Sequence, residues 1–183
     1  SLEVLNMIIQ RLGHQLQSNV WNEILLSLSS LSGSVGEARS GNDWSTCSLA
    51  AFRCFKMLID DFLDELPSDV KSHHNRSAVL DCCGAFVSAD HDINTSLTSI
   101  GLLWTVTDRI ATNDCTEIAL SKLYNLTLDT RAEVRNAAVN TLFSCIMGKG
   151  NDFSGDKWRL CLQSTVLALY EQVSTHLRAE STP

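Results

Sequence analysis

The chain has 183 residues, long enough for one ordinary domain or four to five helical repeats and for burying roughly 70% of its unfolded surface. Apolar residues make up 44% and charged residues 19%, the balance of a globular protein. Fourteen Lys and Arg against 21 Asp and Glu leave a net charge of −7, and the basic residues are scattered singly. Without a cluster to track phosphates, a nucleic-acid ligand is excluded, and direct docking on anionic lipid is disfavoured.

In chain order, helical periodicity dominates. Leu2, Leu5, Ile9, Leu12 and Leu16 share one face of a helix predicted over 2–16, and Trp21, Ile24, Leu25, Leu28 and Leu31 do so over 19–32. A Gly/Ser-rich loop at 33–43 follows, with Gly33, Gly36 and Gly41. The third helix, 44–66, carries Phe52, Phe55, Ile59, Phe62 and Leu66 and stops at Pro67, because the residue before proline disfavours the helical region. The fourth, 69–88, turns Val79, Cys82 and Phe86 inward. In the fifth, 91–110, Ile93, Leu97, Ile100 and Trp104 form a buried stripe.

The sixth helix, 114–128, opens with Asp114 and Glu117 at capping-box spacing, and the seventh, 130–147, with Thr130 and Glu133. The seventh continues through Val134, Ala138, Leu142 and Cys145 to Gly148, which suits the position just past a helix end. The last, 155–178, aligns Trp158, Leu162, Thr165, Val166, Leu169 and Val173. An all-α fold of about eight helices follows.

Two helices recur at a fixed offset: Ile93-x-x-x-Leu97 and Val134-x-x-x-Ala138 lie 41 residues apart, inside the period of about 40–47 residues of HEAT and armadillo units. The segment Asp129-Thr130-Arg131-Ala132-Glu133-Val134-Arg135 resembles the HEAT signature of a turn Asp followed by Val-Arg. There the Asp can accept from the next helix's free amides while the Arg reaches a neighbouring repeat's Asp. The expected architecture is one armadillo/HEAT-like α-α superhelix over 1–183: three helix pairs plus flanking half repeats.

Candidate chemistry is sparse. Cys47, Cys54, Cys82, Cys83, Cys115, Cys145 and Cys161 are odd in number and sit in helical patterns, which reads as reduced thiols in the cytosol. Sequons beginning at Asn75, Asn94 and Asn125 are then coincidental. No Cys or His pair has zinc spacing, and His73-His74 near Cys82-Cys83 reads as loop histidines beside core cysteines. No phosphate-binding glycine loop occurs; Gly148-Lys149-Gly150 reads as a surface turn. No catalytic residue, metal or cofactor is expected, though a Cys/His pair assembled in space stays open. No apolar run is long enough to span a membrane, and the N-terminus lacks the pattern of a signal peptide. Trp104 and Trp158 read as core. Trp21 and Trp44, near element ends, are candidate partner anchors, although core is the favoured reading for both. The acidic group Asp60, Asp61, Asp64 and Glu65 reads as a solvated face.

The stretch Asn94-Thr95-Ser96-Leu97-Thr98-Ser99-Ile100-Gly101-Leu102-Leu103-Trp104, with Asp108 following, resembles the monensin-sensitivity Golgi scaffold proteins, non-catalytic relatives of the large Arf guanine-nucleotide exchange factors. A second similar stretch covers Leu123-Tyr124, Asp129, Arg131, Val134-Arg135, Ala138 and Thr141-Leu142-Phe143-Ser144, with further similarity at Trp21-x-x-Ile24 and Phe62-Leu63-x-x-Leu66-Pro67. The resemblance implies a middle piece of a long solenoid, cytoplasmic and peripheral at the trans-Golgi network and endosomes, serving as a scaffold in vesicle-mediated protein transport. It also implies a Dopey-type protein, an Arf-like GTPase and a phospholipid flippase as partners, and membrane association that is indirect. The first and last helices then belong to neighbouring repeats, so apolar faces at both ends are expected to drive self-association. A competing reading is a regulatory subunit that directly modulates an Arf-family GTPase.

Overall fold

The computed structural model describes residues 2–33, 42–66, 73–89, 92–110, 113–171 and 174. Among them are eight α-helices and no strand. They are α1 (Leu2–Leu12), α2 (Ser18–Ser30), α3 (Asn42–Phe62), α4 (His73–Val87), α5 (Ile93–Arg109), α6 (Asn113–Leu126), α7 (Ala132–Lys149) and α8 (Gly155–Cys161). Most of the loop 33–43, Pro67, Asp90 and the predicted continuation of the last helix to 178 lie outside the described residues, apart from Gly33, Asn42, Asp43 and the points named above.

The helices stack in two rows. The odd row runs α1 on α3, α3 on α5 and α5 on α7; the even row runs α2 on α4, α4 on α6, and α6 on the segment following α8. Cross-row packing joins α2 to α3, α4 to α5, α5 to α6 and α6 to α7. Among the described residues every substantial contact therefore links helices no more than two apart in the chain. That is an open stack, and it is what a repeat produces when each unit buries its apolar stripe only against its neighbours. In the even row α4, α6 and α8 begin at His73, Asn113 and Gly155, 40 and 42 residues apart. The all-α helical repeat fold is present, and α5 and α7 are equivalent members of adjoining units.

The core fills the space between rows. Trp21, Leu25 and Leu28 of α2 are fully buried, as are Phe55, Leu58 and Ile59 of α3 and Phe86 of α4. Phe86 stacks on Phe55 at 5.6 Å and meets Phe52 edge-on at 5.3 Å. Leu66 takes φ −55° and ψ 129°, the extended backbone that a following proline demands.

Several sequence expectations need correction. The first helix ends at Leu12 and gives way to a 3₁₀ turn, Gly13–Gln15. Phe62 packs where a side chain at position 13 would stand: a Cβ there would lie 2.4 Å from its ring. Leu12 is consequently exposed, not inward. Ile93, at the first position of α5, is also exposed at 36%. The Thr130–Glu133 capping box does not form. Arg131 is the N-cap of α7 and supplies no side-chain cap, because its side chain is engaged elsewhere. The side chain of Asp114 lies outside the described residues. Gly148 lies inside α7, which runs on to Lys149, and Gly150 is buried under Trp158, so Gly148-Lys149-Gly150 is packed helix terminus and not a surface turn. Finally, α8 passes into a π-helical segment, Leu162–Leu167, before returning to helix. The extra residue in that turn brings Cys161 and Thr165 inward and leaves Leu162 44% exposed.

Candidate functional site

The signature residues converge on one turn. Between α6 and α7, Asp129 Oδ1 accepts from the Arg131 backbone N–H at 2.9 Å, a local Asx turn that sets the path into α7. The carboxylate also accepts from Arg131 Nε and Nη2, both at 2.9 Å. The same guanidinium donates to the Val87 carbonyl at 2.8 Å and the Ala89 carbonyl at 3.4 Å, the free acceptors at the end of α4. It also donates to Ser96 Oγ on α5 at 3.0 Å. Arg131 thus ties three elements by satisfying helix-end carbonyls, whereas Arg135, the Arg of the Val-Arg pair expected to reach a neighbouring repeat's Asp, bonds to carbonyls of its own turn. Hydrogen bonding from Arg131 holds the Asp129 carboxyl below its ordinary range. Arg135 Nη1 closes the turn on the Asp129 and Thr130 carbonyls at 2.9 and 2.8 Å, while Val134 is fully buried.

At the C-terminal ends of the odd helices the same logic recurs, in Arg109 and Lys149, for which the sequence had suggested no such role. Arg109, in the last turn of α5, donates to the Ile59 carbonyl of α3 at 3.1 Å and pairs with Asp64 at 2.5 Å. Lys149, in the last turn of α7, donates to the Asp108 carbonyl of α5 at 2.9 Å and pairs with its carboxylate at 2.9 Å. Each cation sits where the negative end of the preceding odd helix favours it. In the even row Lys122 of α6 pairs with Asp81 of α4 at 2.6 Å.

Of the remaining predicted positions, Asn94 is exposed and Leu97 half-buried. Trp104 is half-buried and lies across Gly148, where a Cβ would stand 2.6 Å from its ring. Trp21 is fully buried, 6.1 Å from the Phe62 ring, so it offers no surface to a partner and is a core residue. The side chain of Trp44 lies outside the described residues.

Burial pushes up the thiols of Cys54, Cys82, Cys83, Cys145 and Cys161, that of Cys145 to about 12. A protonated, buried thiol is a poor nucleophile and a poor metal ligand. These five cysteines act as small apolar side chains. The side chains of His73 and His74 lie outside the described residues. Among the described residues no cluster of His, Cys, Asp or Glu could hold a metal.

A cavity of about 210 Å³ lies between α6 and the α8–π segment. Leu120, Ser121 and Tyr124 of α6 form one wall; Leu160, Cys161, Ser164 and Thr165 form the other. Phe153, edge-on to Trp158 at 5.4 Å, closes one end. Lys157 and Glu117 supply its charges. The ammonium of Lys157 is buried and has no hydrogen-bond partner, its Nζ lying 3.6 Å from Glu117 Oε1. Regular helix was expected here, and nothing in the pattern around Trp158 and Leu162 marks the π turn that forms the second wall.

No protein-family profile matches the chain, and no solved structure does. Five curated relatives match. They include "Protein MON2 homolog" of Caenorhabditis briggsae, 25% identical over 99% of this chain, and "Protein MON2 homolog" of Xenopus laevis, 27% identical over 94%. "Monensin-resistant homolog 2" of Caenorhabditis elegans is 24% identical over 99%. The chain covers 11% of the length of each of these three. Their names state no catalytic activity. This similarity recurs from nematodes to a vertebrate, nearly end to end along the chain, and supports membership in the MON2 family.

Proposed function

We propose that the chain is a protein-binding scaffold segment, without chemistry of its own, in vesicle-mediated protein transport at the trans-Golgi network and endosomes. The observation that carries this reading is the open two-row stack: it presents long helix faces and an inter-helix cavity, and burial raises the thiols of Cys82 and Cys83. Extended stacks of this kind serve as docking surfaces. Among the described residues no helix is long and apolar enough to cross a membrane. Attachment to Golgi or endosomal membrane then runs through partners, for which the family resemblance suggests a Dopey-type protein, an Arf-like GTPase and a phospholipid flippase.

The test is deletion of the equivalent residues from a full-length relative. Loss of the Dopey-type partner from affinity-purified complexes, with retention of the rest of the protein's abundance, supports the reading; unchanged partners and unchanged Golgi localisation overturn it. The rival, direct modulation of an Arf-family GTPase, is separated by nucleotide-exchange kinetics. A scaffold segment leaves the exchange rate of purified Arf-like GTPases unchanged.

A further inference from the structure

We propose that the cavity between α6 and the α8–π segment is a docking pocket for a partner-protein peptide that inserts a leucine-sized apolar side chain next to a carboxylate. The inference rests on the protein-binding part of the reading above. Size decides the class of occupant. At about 210 Å³ the cavity is smaller than the roughly 300–1,000 Å³ of sites that enclose a drug-sized ligand or cofactor, so what enters is a side chain or two. Leu120, Leu160 and Phe153 make its lining receptive to an apolar anchor.

Charge decides the second element. A buried ammonium without a hydrogen bond is costly, because its three donors have left water without replacement. Glu117, half exposed at 49%, stands 3.6 Å from Lys157 Nζ, beyond hydrogen-bond distance. Glu117 is the ion-pair partner of Lys157, but at 3.6 Å it leaves the ammonium without a hydrogen-bond acceptor, and a carboxylate entering the cavity supplies one. The wall opposite α6 passes from α8 into π-helix, a rare geometry concentrated at functional sites, and Ser164 and Thr165 of the π segment line the cavity.

The experiment follows amide resonances of the whole chain during titration with a blocked Ala-Leu-Glu-Ala peptide, its Gln-for-Glu and Ala-for-Leu analogues, and hexanoate. The expected result is saturable shifts confined to α6 and residues 153–167 with the first peptide, and about tenfold weaker binding of each analogue, the equivalent of about 1.4 kcal/mol. Lys157→Met should abolish the Glu-over-Gln preference, and Ser164→Phe should fill the cavity and remove binding of all peptides, both with an unchanged circular-dichroism melt. Absence of saturable shifts at millimolar peptide overturns the proposal, as does a Glu preference that survives in Lys157→Met. Hexanoate binding as tightly as the first peptide overturns it in favour of a small aliphatic acid. If the peptides fail while the deletion described above still strips the parent of partners, only the pocket falls. If they bind and the deletion changes nothing, the transport reading falls and the pocket stands.

Discussion

Arg131 reaches back 44 residues to donate to the carbonyl oxygen of Val87 at 2.8 Å. One guanidinium at the head of α7 thereby completes the tail of α4, and the two are held in register by Asp129 and Ser96. Arg131→Met should destabilise the fold by about 2–3 kcal/mol, since it removes the charged donor that the Val87 and Ala89 carbonyls share with Ser96 Oγ, and leaves the Asp129 carboxylate with the backbone N–H of residue 131 but without the guanidinium. Arg131→Lys should recover less than half of that, because one ammonium cannot span the fork of acceptors. Urea denaturation followed at 222 nm measures both; a loss under about 0.5 kcal/mol, the range of a surface substitution, would show the cluster to be decorative.

The same pair predicts a pH dependence. The Asp129 carboxyl has a folded-state pKa below its unfolded value, so its stabilising contribution is complete above the unfolded value of about 3.9 and is lost as pH falls through the lowered folded value. The stability gap between wild type and Asp129→Asn should be constant from pH 5 to 7 and should close below about pH 4. Urea midpoints of the two proteins across that range decide it; a gap that widens on acidification would contradict the assignment.

Gly148 and Trp104 occupy the same space. Gly148→Ala places a methyl 2.6 Å from the indole ring and should cost about 1–3 kcal/mol through displacement of Trp104. Adding Trp104→Leu to that variant should return part of the loss. A double-mutant cycle on melting free energies, with tryptophan emission reporting the indole's environment, tests the coupling.

Phe86→Ala empties a site bounded by Phe52 and Phe55 and fully shielded from water. The expected loss is about 3–5 kcal/mol. Since α4 packs against α2, α5 and α6, the variant should also expose amides in those helices to hydrogen exchange faster than amides in α8.

Both ends of the stack carry apolar side chains in water. Val4, Ile8 and Leu12 of α1 are 49%, 42% and 45% exposed, and Leu167 and Tyr170 beyond α8 are 52% and 69% exposed. A second copy of the chain suits such faces, being apolar in the same way. Sedimentation equilibrium should show concentration-dependent association that Ile8→Glu weakens at least tenfold; a monomer at all concentrations would refute it.

The row of helices was readable because each stripe is long and regular. Phe52, Phe55, Ile59 and Phe62 point one way at helical spacing, and no loop chemistry competes with them. Boundaries that depend on tertiary packing were not readable. Gly13 and Gly148 show it: Gly13 opens a 3₁₀ turn inside the stretch expected to be one helix, and Gly148, expected just past a helix end, lies within α7, while Phe62 and Trp104 arrive from distant helices to lie over them. The turn at Asp129 carried a recognisable pattern, but the target of Arg131 did not, since backbone carbonyls leave no trace in residue identity. Arg109 and Lys149 could have been found as single bases in the last turns of successive odd helices. The burial of Lys157 Nζ beside Glu117 could not, since it depends on the meeting of α8 with α6, which no local residue type announces.

Because substantial contacts stop at the next helix but one, the molecule has the mechanics of a coil spring. Tension applied at its two ends would be shared pair by pair, each junction yielding in turn at low force, where a closed bundle would resist and then rupture at once. A contact made at one junction would stiffen that junction and leave the others compliant.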